Sequence, residues 1–238
     1  MSELEVLYRE KVDCPVCELD FEMGKVRTKM VRYSGQDTDL CPIYEGENPL
    51  YYDAIVCPYC GFANIGTSFE RITRREKTAV KDIITPKWMP RDYEIARTLD
   101  QATEAYKIVL LNYQVRHVPA SDMAKICMRL GWMYRFKGDS VTEFKYMERA
   151  YQYYQDAFSK ENLPVGKLDE FSCMYLIGEL ARRIGHYQES ITWFGKLISK
   201  SVIPANKDKI PNNIVEMARD QTTLAKKELL AESNKHQE

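Results

Sequence analysis

The chain has 238 residues, 45% of them hydrophobic, with 34 basic against 35 acidic side chains. That balance excludes wholesale disorder, and a net charge of −1 argues against a nucleic-acid binder that works by bulk charge. The longest clean aliphatic run, Ile108–Leu111, falls far short of the roughly 20 residues a membrane span needs, and the acidic start Met1-Ser2-Glu3 lacks the apolar stretch of a secretory signal, so a cytoplasmic protein is expected.

Cysteines, turn residues and short β-type runs crowd into residues 12–69. Lys25–Tyr33 and Leu50–Val56 carry the β-branched and aromatic residues of strands, with turn chemistry between them at Ser34-Gly35 and Gly46-Glu47-Asn48-Pro49. A connector at 70–91 follows and is basic. Arg71, Arg74, Arg75, Lys77, Lys81, Lys87 and Arg91 face Glu76 and Asp82, which reads either as a solvated linker or short helix, or as a patch for phosphates or an acidic partner. From Asp92 the texture becomes helical. Asp92–Arg116 has helix spacing, Ser121-Asp122 can cap a second helix to about Lys137, and Ser140 with Glu143 forms a capping box for a third helix to Phe158. Leu168–Ile184, Tyr187–Ser201 and Asn212–Ala231 complete six expected helices. The fold expected is mainly α: a small β module at 1–69, the connector at 70–91 and an antiparallel helical array at 92–238.

The seven cysteines are too few and too unevenly placed for a secreted disulfide scaffold. Two Cys-Pro-x-Cys units stand out, Cys14-Pro15-Val16-Cys17 and Cys57-Pro58-Tyr59-Cys60-Gly61. Each pair lets a tight turn aim two sulfurs at one ion, and two such turns supply the four tetrahedral thiolates of a structural zinc site. The 39 residues between them suit a zinc ribbon with a long excursion between its knuckles. One zinc per chain on Cys14, Cys17, Cys57 and Cys60 is expected. The same geometry binds iron in rubredoxin-like proteins, and Cys-Pro-Tyr-Cys alone is the dithiol of glutaredoxin-like enzymes, although Gly61–Gly66 is poor material for the helix such a dithiol opens. Cys41 lacks a partner at this spacing and reads as a loop thiol, Cys127 and Cys173 as small buried side chains, and His117, His186 and His236 as residues outside the metal site.

A shift of 47 residues aligns Leu130-Gly131 with Ile177-Gly178, Arg135 with Arg182 and Gly138 with Gly185. The second copy resembles a tetratricopeptide repeat, with Gly178, Gly185, Tyr187 and Phe194 at pattern positions. The period exceeds the usual 34 or so, Glu143 stands where a small residue is usual, and Ala181 replaces an aromatic. In that family the first helix of each pair lines a groove for an extended peptide. The resemblance implies that Lys125, Arg135, Tyr175, Glu179, Arg182 and Arg183 face such a groove and bind a protein or peptide partner.

Val12–Cys17, Asn48–Ala63, Arg129–Arg135 and Leu176–Gly185, in this order, resemble an uncharacterised bacterial family, the domain of unknown function numbered 2225. That resemblance implies a zinc-ribbon-like module joined to tetratricopeptide-like helices, and no activity. No Gly-rich phosphate loop, G-x-S-x-G or H-E-x-x-H occurs in the chain. The reading is therefore a non-enzymatic zinc protein whose helices bind a protein partner. Its alternatives are a nucleic-acid-binding zinc ribbon and a rubredoxin-like iron-thiolate electron carrier. No membrane association is expected.

Overall fold

The structure, a computed structural model, describes residues 6–93, 95–206 and 209–235. The protein is mainly helical, with a small N-terminal β region. Its described residues form two compact units. One holds residues 6–37, 41–118 and 129–143; the other holds 38–40, 119–128 and 144–235.

In the first unit, β1 (Leu7–Asp13) and β2 (Asp20–Val26) form an antiparallel hairpin, with Asp13 opposite Asp20 at its tip. β3 (Arg32–Gln36) and β4 (Pro42–Glu45) form a second hairpin, bulged between Tyr33 and Gly35. β5 (Ala54–Val56) and β6 (Ala63–Ile65) form a third, with Val56 opposite Ala63 at its tip. The run Lys25–Tyr33 is therefore not one strand. The amide of Met30 bonds the carbonyl of Arg27 at 2.8 Å, closing a 3-10 turn over Thr28–Met30 that separates β2 from β3. Leu50–Val56 is likewise split. The Asn48 side chain accepts from the Leu50 amide and Pro49 opens a 3-10 turn over Pro49–Tyr52, leaving three residues for β5.

Within the basic segment, Thr73 and Glu76 form a reciprocal capping box for α1 (Arg74–Ala79), which widens into one π-turn over Val80–Ile84. Val80 and Ile84 are buried with Phe21, Ile55, Phe62 and Phe69 in the core beneath the cysteines. α2 (Leu99–Arg116) packs on β5 and β6. It starts later than Asp92 because Thr98 and Gln101 supply its capping box. Before it, the buried Arg97 guanidinium donates to the carbonyls of Ala54 (2.6 Å) and Tyr51 (3.2 Å) and lies against the rings of Tyr52 and Tyr93.

α3 (Ala120–Phe136) and α4 (Ser140–Lys160) carry residues of both units. The cap of α4 is Asp139 and not Ser140. Its carboxylate accepts from the Thr142 amide at 3.0 Å, since a side chain one residue before the helix reaches its third amide.

In the second unit, α5 (Glu170–Arg183), α6 (Tyr187–Ser201) and α7 (Asn212–Lys235) pack on one another around Phe171, Met174, Tyr175, Phe194, Leu197 and Ile214. The Asp169 carboxylate caps α5 by accepting from the amides of Phe171 and Ser172 at 2.8 Å each. Gly178 lies under the Phe194 ring, so close that a Cβ there would fall 2.7 Å from it.

Candidate metal centre

The two Cys-Pro-x-Cys units sit at the tips of the β1–β2 and β5–β6 hairpins and fold into the same turn. In the first, the Glu18 amide bonds the Cys14 carbonyl (2.9 Å) and the Cys14 amide bonds the Leu19 carbonyl (3.0 Å). In the second, the Gly61 amide bonds the Cys57 carbonyl (3.1 Å) and the Cys57 amide bonds the Phe62 carbonyl (2.8 Å). Residue for residue the pattern is identical. Both turns need a left-handed residue just after the second cysteine, and Glu18 (φ 64°) and Gly61 (φ 75°) supply it.

The hairpin tips bring four sulfurs together. The Sγ atoms of Cys14, Cys17, Cys57 and Cys60 all lie within 4.8 Å of one another, with Cys14–Cys60 and Cys17–Cys57 each at 3.6 Å. An ion about 2.3 Å from each of four tetrahedral sulfurs would hold them roughly 3.8 Å apart, so the donor set fits a four-thiolate metal site. The electrostatics agree. Cys14, which the thiols of Cys57 and Cys60 hydrogen-bond, is pulled down to about 2, whereas the hydrogen bond each makes to Cys14, with burial, pushes Cys57 up to about 12 and raises Cys60 as well. A bound cation supplies the charge that lets all four sulfurs ionise. Around the cluster, Cys14, Cys57 and Cys60 are buried and Cys17 is half-buried, and the Val16 amide points at the Cys14 sulfur from 3.4 Å.

Three side chains outside the knuckles hold the second one by its carbonyls. Trp88 Nε1 donates to Pro58 (2.8 Å), Thr85 Oγ1 to Cys60 (3.0 Å) and Asn112 Nδ2 to Gly61 (3.0 Å). The Trp88 indole also packs closely on Gly61. Nothing in the local cysteine pattern announces these residues. The one available signal was Asn112, a polar residue immediately after the apolar run Ile108–Leu111. Arg116, mostly buried, lies over the rings of Phe62 and Tyr113 and pairs with Glu76 at 3.1 Å.

The other cysteines stand apart from this group. Cys41 is buried, with its sulfur 3.9 Å from the Pro42 carbonyl. Cys127 and Cys173 are fully buried, and burial pushes each thiol up to about 12, which makes them inert packing groups. His117 caps the end of α2 in a left-handed conformation, His186 precedes α6, and His236 lies outside the described residues.

The six residues implied to line a peptide groove are placed as follows. Arg135 belongs to the first unit, between Asp37 (2.8 Å) and Glu143 (2.7 Å). Lys125 is half-buried in the second unit. Tyr175 and Glu179 have 0% exposure, which removes both from any ligand-facing wall. Glu179 is instead the centre of a buried ionic cluster. Arg182 (2.8 Å), Arg183 (2.7 Å) and the Thr38 hydroxyl (2.6 Å) all bond it, and Arg182 also reaches Glu228. The Tyr175 hydroxyl donates to the Thr38 carbonyl at 2.7 Å, so the same cluster ties Thr38–Leu40 into the helical unit.

No helix among the described residues is long and apolar enough to cross a membrane. The chain is 22% identical over 182 residues to an uncharacterized protein of Borreliella burgdorferi, a match covering 66% of this chain and 63% of that one. This chain thus matches less than two thirds of that relative's length. No solved structure matches. A family model described as "Uncharacterized protein conserved in bacteria" matches residues 7–225, and the chain belongs to that family, the domain of unknown function 2225.

Proposed function

We propose that this is a zinc protein in which the ion has a structural role. The observation that carries the reading is the pair of identical knuckles that converge four sulfurs within 4.8 Å at the tips of two hairpins. Four thiolates fill the coordination sphere of zinc and leave no position for substrate, so the ion would hold β1–β2 against β5–β6 and catalyse nothing. The free energy of binding would become folding free energy of a β region with short strands. A tetratricopeptide-type groove on α5 is no part of this proposal, because Tyr175 and Glu179 are buried and Arg182 and Arg183 are spent on Glu179.

Metal analysis of protein purified without chelator, combined with its visible spectrum and its reaction with iodoacetamide, tests the proposal. One zinc per chain, no colour, and four cysteines protected until a chelator is added are the expected results. The absorption bands of a ferric thiolate would make it an iron protein. Rapid alkylation of Cys57 in the metal-loaded protein would make it a dithiol enzyme.

A further inference from the structure

The basic segment offers a surface that the metal reading leaves unused. Arg74, Arg75, Lys81 and Lys87 are exposed and Lys77 is half-buried, and none of the five has an acidic partner among the described residues. The acid within α1, Glu76, is committed to Thr73 and Arg116, which leaves Asp82 as the exposed acid opposing the five between Arg74 and Lys87. Arg74, Lys77 and Lys81 recur at helical spacing and form one stripe, with successive turns roughly 5–6 Å apart.

The far end of the segment is fixed to the second knuckle. Trp88 bonds Pro58 and Thr85 bonds Cys60, and between those two carbonyls Tyr59 stands 54% exposed. Lys87 and Tyr59 are therefore each one residue from the Trp88–Pro58 bond. A run of unpaired cations ending at an exposed aromatic ring matches single-stranded nucleic acid, whose phosphates follow a charged track while its bases stack on rings. A membrane surface fits less well, because Val80 and Ile84 are spent on the core, which leaves Ile83 and Met89 as scattered exposed apolar side chains rather than a continuous inserting face. We propose that residues 74–88 together with Tyr59 bind single-stranded nucleic acid without sequence preference.

The test is fluorescence anisotropy of a labelled 20-nucleotide single-stranded DNA with the full-length, metal-loaded protein. Five phosphate contacts predict a log–log salt slope near −3.5, so affinity should fall about 100-fold between 50 and 200 mM salt. The combined variant Arg74→Gln, Arg75→Gln, Lys81→Gln and Lys87→Gln should flatten that slope by about 3, with metal content unchanged. Tyr59→Ala should weaken binding by about fivefold or more at every salt concentration and leave the slope as it was. Absence of binding at 50 mM salt, or binding that the four-residue variant leaves intact, overturns the proposal. So does charge-dependent capture by phosphatidylglycerol vesicles without capture of the oligonucleotide.

Discussion

Gly61→Ala probes how the second knuckle is held. The residue sits at φ 75°, and a Cβ there would lie 2.6 Å from two carbons of the Trp88 indole. An alanine incurs the left-handed penalty, roughly 1–2 kcal/mol, and must also push the ring aside. Displacing the indole breaks its bond to the Pro58 carbonyl, which costs about 1–3 kcal/mol more. The expected total is about 2–5 kcal/mol. In a Trp88→Ala background the steric part disappears, so the same change should cost only the conformational penalty, and the double-mutant cycle should show a coupling of about 1–3 kcal/mol. The first knuckle supplies a mirror control: Glu18 is a side-chain-bearing residue at φ 64°, and Glu18→Gly should stabilise that turn by up to about 1 kcal/mol. Urea unfolding of the metal-loaded protein, followed by metal release to a chromogenic chelator, measures all four variants. Strictly additive effects of the Gly61 and Trp88 changes, or a Gly61→Ala cost below about 0.5 kcal/mol, would refute the reasoning.

Cys57→Ser should abolish stoichiometric metal binding and the hydrogen-exchange protection of β5 and β6, while α5, α6 and α7, with a core of their own, stay protected. Glu179→Gln removes the charge that Arg182 and Arg183 share and should destabilise the helical unit by about 3 kcal/mol, read as faster exchange of α5 amides. Asp139→Ala should cost about 1 kcal/mol in thermal unfolding and Ser140→Ala much less, since the Asp139 carboxylate is the cap.

What was legible in the sequence is what local chemistry determines. A Cys-Pro-x-Cys turn is specified by adjacent residues, and both knuckles form where the motif stands. α6 keeps the bounds its sequence pattern predicts, and α5 begins two residues later than expected because Asp169 is its cap. The strands were less legible because short, half-polar segments depend on their partners. Lys25–Tyr33 has strand composition throughout, yet it turns at Thr28–Met30 because β2 pairs back to β1 and β3 forward to β4. The spacing of Glu179, Arg182 and Arg183 shows an intrahelical ion pair, but not that Thr38, 141 residues away, completes it. Nor does it reveal the carbonyl bonds from Thr85, Trp88 and Asn112, which join residues 25 to 51 positions apart.

X-ray absorption at the zinc edge of the natively purified protein tests the central claim most directly. The account predicts a single shell of four sulfur scatterers at about 2.3 Å, lost on substitution of Cys57. A shell containing nitrogen or oxygen, or an iron edge in place of zinc, would contradict it.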